Sequence, residues 1–457
     1  IIMIYDVIVV GAGAAGLHCS RLLKNVGYSV LTLEANSIIG GRTRVNTTFT
    51  QWPVELGGEM IHGADTLYYN MAKEQGWETF EVFPETLFHD EEGRNCTYFY
   101  LGRERRLVSQ DQIDDDMIKC FTELEALSDI TPLPPKHINL MQHLASKGVP
   151  FRAIGLADAV YSKTWGTNLD RIGLRQACIE DKKAHLEPRN FKLQKSSKVL
   201  VDYLSKDLEI RTNWRVKSID YTGSVTSISS YDGQVVQGKK VAVCVPLTVL
   251  KEKDIKFEPE LPREKNDALE VMQMDGGMKI LLKFKEKFWS QNLELVLCAD
   301  SPVPQVWMDG APKRPVPAGS PAEFVAVGFI TGDQARSMAA LPEAKAVRAF
   351  LDQLDAMFGV VGNWTPASQN YIGHFVYDWQ KNPFVRGAYS FPCVIPADSP
   401  VQDEPNLILA KRVSDKIFFA GEATATQFEM ATINGALQTG KRAFEEVEQS
   451  LKLGSSK

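Results

Sequence analysis

The stretch of residues 5–44, YDVIVVGAGAAGLHCSRLLKNVGYSVLTLEANSIIGGRTR, limits the fold of this 457-residue chain more than any other feature. It overlaps an apolar, β-branched run, Ile4–Val10, typical of a strand that is buried on both faces of a parallel sheet. After a glycine-rich turn, apolar residues recur at helical spacing, and Tyr28–Leu33 predicts a second strand. The order strand, helix, strand predicts a βαβ unit and therefore an α/β fold.

The glycines of this turn predict a ligand. Gly11, Gly13 and Gly16 fill the pattern G-x-G-x-x-G. In this pattern the first glycine permits the tight turn, the second lets the backbone approach a pyrophosphate, and the third lets the helix pack on the strand. Glu34 stands at the end of the second strand, where a carboxylate can bind ribose hydroxyls. A ligand-free glycine turn is the alternative, but strand, helix, second strand and acid are all in register here.

A second glycine pair decides between NAD and FAD. Gly40 and Gly41 are followed by Arg42, a cation that can approach the same diphosphate from its other side. The whole run resembles the dinucleotide signature of FAD-dependent amine oxidases, which include monoamine oxidases, polyamine oxidases, histone lysine demethylases and L-amino-acid oxidases. FAD is therefore favoured over NAD. The resemblance implies cofactor contacts from Gly11, Gly13, Ala14, Ala15, Gly16, Glu34, Ala35, Gly41 and Arg42.

The segment 51–65, QWPVELGGEMIHGAD, resembles the amine-oxidase motif V-E-L-G-x-x-x-I-H-G. Gly57 and Gly58 are expected to let the chain pass close to the isoalloxazine ring, where a side chain would collide with the flavin. Glu59 and His62 are the variable chemistry of this loop, and a purely structural role for the histidine stays open. The resemblance implies flavin contacts from Gly57, Gly58, Glu59 and Met60.

The segment 416–442, KIFFAGEATATQFEMATINGALQTGKR, resembles the C-terminal FAD motif F-A-G-E-x-T and the helix that follows it. A helix beginning near Thr432–Gly435 would direct its N–H groups and positive dipole end at the N1–C2=O edge of the flavin. The cofactor contacts implied here are Gly421, Glu422, Thr432 and Ile433, together with an adenine contact from the backbone of Val216.

Lys279 lies in an apolar run, Gly276–Trp289, that predicts a strand. It aligns with the family lysine that binds flavin N5 through a water. Burial in apolar surroundings would favour loss of its charge, so that it could act as a base or position water for dioxygen chemistry. A strand-edge lysine that reaches solvent is the alternative.

Trp379 and Tyr389 fit the family element W-x-x-x-P-x-x-x-G-x-Y-S, in which the two rings face the flavin and the substrate amine. Simple core packing is the alternative for both. Thr432 stands where many relatives have a second tyrosine, which predicts a wider cavity. Ala388 stands where monoamine oxidases carry the cysteine that bonds to the flavin, so the FAD is expected to be non-covalent.

The resemblance implies two discontinuous domains. The first is a Rossmann-like, glutathione-reductase-like FAD-binding domain of residues 1–68, 194–273 and 405–457. The second is an α+β substrate domain with a mixed sheet plus helices, residues 69–193 and 274–404. Residues 67–193 are polar with apolar positions at helical spacing, which predicts a largely helical insertion. Strands are also predicted over Phe324–Ile330 and Gln369–Val376.

Composition excludes several classes of partner. The formal net charge is −6, from 51 basic and 57 acidic residues, so no global field attracts nucleic acid or an anionic membrane. Seven scattered cysteines with no C-x-x-C pair argue against a disulfide framework or a metal site. We expect a soluble protein of the cytoplasm or another reducing compartment, with no signal peptide or transmembrane tail. The oligomeric state stays open, a dimer included.

The activity that the resemblance implies is oxidation of a C–N bond of a polyamine or another primary or secondary amine to an imine. The imine is hydrolysed, and dioxygen is reduced to hydrogen peroxide. An L-amino-acid oxidase is the first alternative, disfavoured because Met60 stands where those enzymes place an arginine. Glu59 and His62 suit a cationic substrate instead. An FAD-dependent desaturase or protoporphyrinogen oxidase would need a long apolar tunnel, and a non-catalytic flavin-fold binding protein would lack intact FAD motifs.

Overall fold

A computed structural model describes residues 3–82, 96–183, 189–310, 319–321, 323–426 and 429–454. Two positions of the C-terminal motif, Gln427 and Phe428, lie outside the described residues. The strands are β1 (Ile4–Val10), β2 (Val30–Leu33), β3 (Val45–Asn46), β4 (Val54–Glu55), β5 (Ile61–His62), β6 (Thr79–Val82), β7 (Thr97–Leu101), β8 (Arg106–Ser109), β9 (Asn190–Leu193), β10 (Glu209–Arg211), β11 (Val216–Asp220), β12 (Thr226–Ser230), β13 (Val235–Val243), β14 (Lys256–Glu258), β15 (Gly277–Phe284), β16 (Leu295–Ala299), β17 (Gln305–Gly310), β18 (Phe324–Thr331), β19 (Tyr371–Asp378) and β20 (Ile417–Phe419). The α-helices are α1 (Ala14–Asn25), α2 (Leu67–Glu74), α3 (Asp115–Glu125), α4 (Leu140–Ser146), α5 (Phe151–Ala157), α6 (Leu174–Lys183), α7 (Lys198–Ser205), α8 (Leu247–Lys251), α9 (Arg263–Val271), α10 (Gly332–Ala339), α11 (Glu343–Phe358), α12 (Pro366–Asn370), α13 (Pro405–Ala410) and α14 (Ile433–Gly454).

The first large sheet carries the predicted βαβ unit. Its strand order is β10-β2-β1-β13-β12-β11-β14, and β20 pairs with the second half of β13. The strands β10, β2, β1, β13 and β20 run parallel, as the Rossmann-like prediction requires. Val10 pairs with Leu33, so β1 and β2 end at the same edge of the sheet. Ligands of parallel α/β sheets bind at this carboxyl edge.

The helix α1 packs closely on this sheet because of its glycines. A Cβ on Gly16 would lie 1.9 Å from the Gly11 carbonyl oxygen, so no side chain fits between the helix and the turn. Gly11 itself has φ +104°, and a Cβ there would lie 2.6 Å from the Cys244 carbonyl oxygen. The turn that ends β1 therefore requires glycine for reasons within the protein itself.

The second large sheet has the order β19-β15-β18-β17-β16-β7-β8. It is mixed, because β16 and β7 pair in parallel while its other neighbours are antiparallel. Alternate residues of β15 face opposite sides. Ile280 and Leu282 pack in the core formed with α10 and α11, while Leu281 packs in a second cluster with Trp307. Lys279 projects from the same face as Leu281, away from α11.

All strands of the first sheet fall within residues 1–68, 194–273 and 405–457, and all strands of the second fall outside them. The domain bounds themselves remain a prediction. The segment 67–193 holds helices α2 to α6 but also β6, β7, β8 and β9, which the helical periodicity did not indicate. These strands are four or five residues long, and β7 and β9 pair with strands far away in the chain. The spacing of apolar residues within a short segment does not indicate a pairing partner elsewhere in the chain.

No described helix combines the length and apolar character needed to cross a bilayer. All seven cysteines are buried and unpaired.

Candidate active site

A cavity of about 560 Å³ extends from the dinucleotide turn to the second sheet. The predicted residues that line it are Gly11, Gly13, Ala14, Ala15, Glu34, Gly41, Arg42, Gly57, Gly58, Glu59, Met60, His62, Lys279, Trp379, Tyr389, Gly421, Glu422, Thr432 and Ile433. Three other predicted residues, Gly16, Ala35 and Val216, do not line it. Gly16 lies behind the turn, and the Val216 side chain is buried in the core of the first sheet.

The N-terminus of α1 opens into this cavity. Gly13 is its N-cap and supplies no capping side chain. A Cβ on Gly13 would meet no atom within 4 Å, because this glycine borders open space. The first N–H groups of any α-helix have no partner within the helix, and Ala14 and Ala15 present theirs here. This is the geometry of an anion site.

Glu34 and Arg44 lie beside that turn. The Glu34 carboxylate accepts hydrogen bonds from the backbone N–H groups of Ala12 and Asn36, each at 2.8 Å. Burial raises its pKa, and the nearby positive charge of Arg44 opposes that rise. Arg44 lines the cavity, and its Nε is buried without a hydrogen-bond partner. The sequence pattern did not indicate Arg44 as a cavity residue, because a basic residue in a loop is usually solvated.

Arg42 joins the two predicted cofactor motifs at opposite ends of the chain. Its Nη1 lies 2.7 Å from Glu422 Oε1 and 3.0 Å from the Ala388 carbonyl oxygen. Glu422 Oε2 accepts from the Ser390 hydroxyl at 2.6 Å and from the Ala431 N–H at 3.0 Å. The guanidinium that was expected to approach a diphosphate is therefore already paired with a buried carboxylate.

The need for glycine at position 57 has a different cause from the predicted one, while the flavin contact of Gly58 stays a prediction. A Cβ on Gly57 would lie 1.7 Å from the Arg42 carbonyl oxygen, and one on Gly58 would lie 3.2 Å from the side chain of Ile433. The chain itself excludes a side chain at Gly57, whether or not a flavin is bound.

Lys279 was expected to lie in apolar surroundings, but its ammonium group is surrounded by oxygen acceptors. Its side chain is buried, but Nζ donates to the carbonyl oxygens of Glu55 at 3.1 Å and Gly57 at 2.9 Å and to Glu59 Oε1 at 3.1 Å. An ammonium group has three donors. The solvent-exposed alternative is also wrong, because β15 lies between β18 and β19.

The two predicted aromatic residues line the cavity with their polar atoms turned to the backbone. The Trp379 indole N–H donates to the Leu56 carbonyl oxygen at 2.8 Å, and the Tyr389 hydroxyl donates to the Thr164 carbonyl oxygen at 2.8 Å. Burial raises the pKa of Tyr389. Gly166 packs against the Tyr389 ring, which leaves no room for a Cβ. These residues therefore offer ring surface, rather than a hydroxyl or N–H group, to the cavity.

His62 and Thr432 lie on the same cavity. His62 Nδ1 is 2.6 Å from Asn190 Oδ1. Thr432 Oγ1 accepts the Gly435 N–H at 2.8 Å, the pattern of a helix N-cap, and α14 begins at the next residue, as predicted.

Further residues of the cavity come from the helical insertion. Tyr161, Trp165 and Asp181 line it. Burial raises the pKa of Asp181 to about 7, and the Tyr161 hydroxyl donates to its Oδ1 at 3.2 Å. The described residues provide Asp181 with no ion pair. Sequence reasoning missed it because the run IEDKK reads as the solvated face of a helix.

The chain matches the family model of flavin containing amine oxidoreductases over residues 14–447. It therefore belongs to that family. It is 25% identical over 454 residues to lysine-specific histone demethylase 2 of Homo sapiens, covering 96% of this chain and 52% of that protein. It is 26% identical over 460 residues to polyamine oxidase 3 of Oryza sativa subsp. japonica, covering 96% of this chain and 88% of that protein. The chain thus spans about half the length of the histone demethylase.

Solved structures show the same fold. Cyclohexylamine oxidase from Brevibacterium oxydans IH-35A has a TM-score of 0.81 at 18% identity, covering 98% of this chain and 100% of that chain. Putrescine oxidase bound to putrescine has a TM-score of 0.81 at 17% identity, covering 98% and 99%.

The family implies a flavin cofactor, and the residues of the cavity fit one. The uncapped helix N-terminus at Gly13 and the buried, unpartnered Nε of Arg44 suit the phosphates and the adenosine end. The N-terminus of α14, which begins at Ile433, also lies on the cavity. This second N-terminus suits the electron-rich edge of the flavin ring.

Proposed function

We propose that the chain is an FAD-dependent amine oxidase that acts on an amine carrying a second positive charge, such as a diamine or polyamine. The observation that supports this most is the cavity itself. It joins the dinucleotide turn at Gly13 to a wall formed by Lys279, Trp379 and Tyr389. Bound FAD would supply the two-electron oxidation of the C–N bond and pass the electrons to dioxygen. Amine, dioxygen and water would give an aldehyde or ketone, ammonia or a smaller amine, and hydrogen peroxide.

The protein itself would orient the amine and exclude water from it. Trp379 and Tyr389 offer ring faces, which attract a cation and exclude water. The polar atoms of Tyr389 and Trp379 are bound to backbone, so both rings are held in place. Fixed geometry of this kind supplies much of an enzyme's rate enhancement.

The surroundings of Asp181 are evidence that the substrate carries a second, positively charged group. Of the carboxylates that line the cavity, Glu34 binds backbone N–H groups, Glu59 pairs with Lys279, and Glu422 pairs with Arg42. Asp181 is bound by a tyrosine hydroxyl alone among the described residues. A substrate ammonium group would give it the counter-charge that the protein does not.

The amino-acid alternative receives less support. The guanidinium groups among the described lining residues belong to Arg42 and Arg44. Arg42 is paired with Glu422, and Arg44 lies beside Glu34 at the dinucleotide end. A substrate carboxylate near Lys279 or Tyr389 would therefore meet no arginine of the described lining that lacks a neighbouring carboxylate.

The experiment is anaerobic titration of the purified, FAD-loaded protein with amines and amino acids of matched length. We expect diamines to bleach the flavin absorbance at lower concentrations than monoamines, and we expect amino acids not to bleach it. Hydrogen peroxide should appear on readmission of air. Bleaching by amino acids with no response to amines would overturn the proposed substrate class, and failure to bind FAD would overturn the function itself.

A further inference from the structure

Three buried ionisable side chains form one cluster: Lys279 and Glu59 line the cavity, and Lys192 lies behind Glu59. Glu59 Oε1 lies 3.1 Å from Lys279 Nζ, and Glu59 Oε2 lies 3.3 Å from Lys192 Nζ. The exposed fractions of these residues are 3%, 7% and 4%, for Lys279, Glu59 and Lys192. Charges at this depth are costly unless they are paired. Two ammonium groups therefore bind one carboxylate.

The short strand β9 places Lys192 in this cluster. It pairs with β5 and β6, and its residues Asn190 and Lys192 project from the same face because side chains alternate along a strand. Asn190 binds His62 and Lys192 binds Glu59. This one strand therefore holds both polar residues of the 59–62 loop, while Phe191 packs in the adjoining apolar core.

Trp307 lies beneath both ammonium groups. Lys279 Nζ is 4.9 Å from the centre of its ring, and Lys192 Nζ is 5.7 Å away. Trp307 lines the cavity and stacks on Phe329 at 4.7 Å. The ring face stabilises both positive charges.

The cluster links two ammonium groups through one carboxylate. Glu59 joins the two cations, and Lys279 and Glu59 line the cavity that the flavin would occupy. Glu59 also accepts one of the three hydrogen bonds that Lys279 donates. The position of Lys279 therefore depends on Glu59, and the second oxygen of Glu59 is held by Lys192.

We propose that Lys192 is a positioning residue that holds Glu59, and through it Lys279, and that its charge raises the reduction potential of the bound flavin. This inference rests on the proposed function, since it requires FAD in the cavity. Reduction adds negative charge to the flavin, and a nearby positive charge stabilises the reduced form more than the oxidised form.

The test measures the midpoint potential of the bound FAD by equilibration with a reference dye. Lys192→Met removes one positive charge, and we expect the flavin–dye equilibrium to shift about tenfold toward oxidised flavin. For a two-electron couple this equals about 30 mV. Lys192→Arg keeps the charge and should retain the wild-type potential. A merely structural role for Lys192 would not move the potential in this charge-dependent way.

The matched control is Lys283→Met. Lys283 lies on the same strand as Lys279, pairs with Glu323 at 3.0 Å and lies over the Phe49 ring at 5.2 Å, but it does not line the cavity. Its variant should keep the wild-type potential. A Lys192→Met potential equal to wild type in a protein fully loaded with FAD would overturn the inference.

A second variant keeps the test decisive if Lys192→Met fails to fold or to bind FAD. Glu59→Gln leaves both cations without the carboxylate, so the potential should rise. A fall or no change would overturn the inference. Loss of FAD binding in the wild-type protein would instead contradict the proposed function, so the two failures are distinguishable.

Discussion

At the scale of single residues, the structure changes the chemistry expected of Lys279 and adds a residue that was not expected at all. Its ammonium group has three oxygen acceptors. Asp181, by contrast, is a carboxylate whose desolvation is opposed by one tyrosine hydroxyl and by no ion pair among the described residues. The difference arises because hydrogen-bond partners come from distant segments, and the residue type alone does not specify them.

Replacing Lys279 should affect both catalysis and stability. We expect Lys279→Met to slow flavin reduction or reoxidation by ~10²–10³-fold, the usual cost of removing one fixed donor that stabilises developing negative charge. It should also lower the free energy of unfolding by ~1–3 kcal/mol, because the carbonyl oxygens of Glu55 and Gly57 lose a buried donor. Anaerobic stopped-flow measurements of each half-reaction, with Lys283→Met as control, check this. If both half-reactions stay within about twofold of wild type, the electrostatic role of Lys279 is refuted.

Asp181 should determine the preference for diamines. Asp181→Asn is expected to raise the KM of a diamine at least tenfold, the effect of losing a charged hydrogen-bond partner, and to leave a monoamine of equal length within about twofold. Because its pKa is about 7, the wild-type KM for the diamine should also rise as the pH falls below that value. Steady-state kinetics of both substrates from pH 6 to pH 9 measure this. Equal effects on the two substrates would contradict it.

Asp181 should also make the free energy of unfolding depend on pH. The pKa of Asp181 is raised from 3.8 to about 7, so the folded state binds more protons than the unfolded state between these values. Its contribution to the free energy of unfolding therefore falls as the pH rises through this window. A shift of about three units corresponds to at most ~4 kcal/mol. Denaturant unfolding of wild type and Asp181→Asn should show their difference declining from pH 4 to pH 7, and a constant difference would exclude the shift.

At the scale of elements, the β1–α1 turn separates glycines needed for packing from a glycine that borders open space. A methyl group on Gly11 or Gly16 would lie only 2.6 or 1.9 Å from a backbone oxygen. Gly13 has extended backbone angles and nothing nearby. The spacing of the motif specifies the turn, but the reason for each glycine depends on what lies opposite it.

A matched pair of alanine substitutions tests that distinction. Gly16→Ala should destabilise the FAD-free protein by ~1–3 kcal/mol through overpacking. Gly13→Ala should leave the stability of the FAD-free protein unchanged or raise it by ~0.4–1 kcal/mol, because alanine lowers the conformational entropy of the unfolded chain. It should weaken FAD binding, since the methyl group would occupy the space beside the α1 N-terminus. Thermal unfolding and FAD titration measure the two effects. Equal FAD affinity in Gly13→Ala and wild type would place the diphosphate elsewhere.

At the scale of the whole molecule, the cavity is built from segments that lie far apart in the chain. The pair Arg42–Glu422 joins the two cofactor motifs. Residues from β9, β15 and the helical insertion complete the wall. A cofactor in this space would contact both sheets, and so its binding should stabilise the whole fold.

We expect that cofactor to be held without a covalent bond. Ala388 lines the cavity and cannot form a thioether, and the cysteine among the described lining residues is Cys244, which lies at the dinucleotide turn. Acid precipitation should therefore release the yellow chromophore into the supernatant. Colour retained in the washed pellet would contradict this expectation.

Much of the fold follows from local patterns. The glycine spacing and the apolar strands predict the βαβ unit and the parallel sheet, and the alternation in Gly276–Trp289 predicts β15. The resemblance to the C-terminal FAD motif predicts the beginning of α14. The short strands β6, β7 and β9 could not be predicted in this way, because they pair with strands that are remote in sequence. Most predicted site residues line a single cavity, although their contact with a flavin remains a prediction.

The sequence by itself determined the family and the dinucleotide turn, because motifs such as G-x-G-x-x-G act through backbone geometry that neighbouring residues specify. Only the tertiary structure decided which charges meet. Lys192 lies 133 positions from Glu59 in the sequence (192 − 59), yet the two side chains form an ion pair beside the cavity. Asp181 lies in an ordinary helical run, yet it lines the cavity. Electrostatic interactions depend on distance in space and on burial, and folding brings these residues together only when the sheets and the helical insertion have packed.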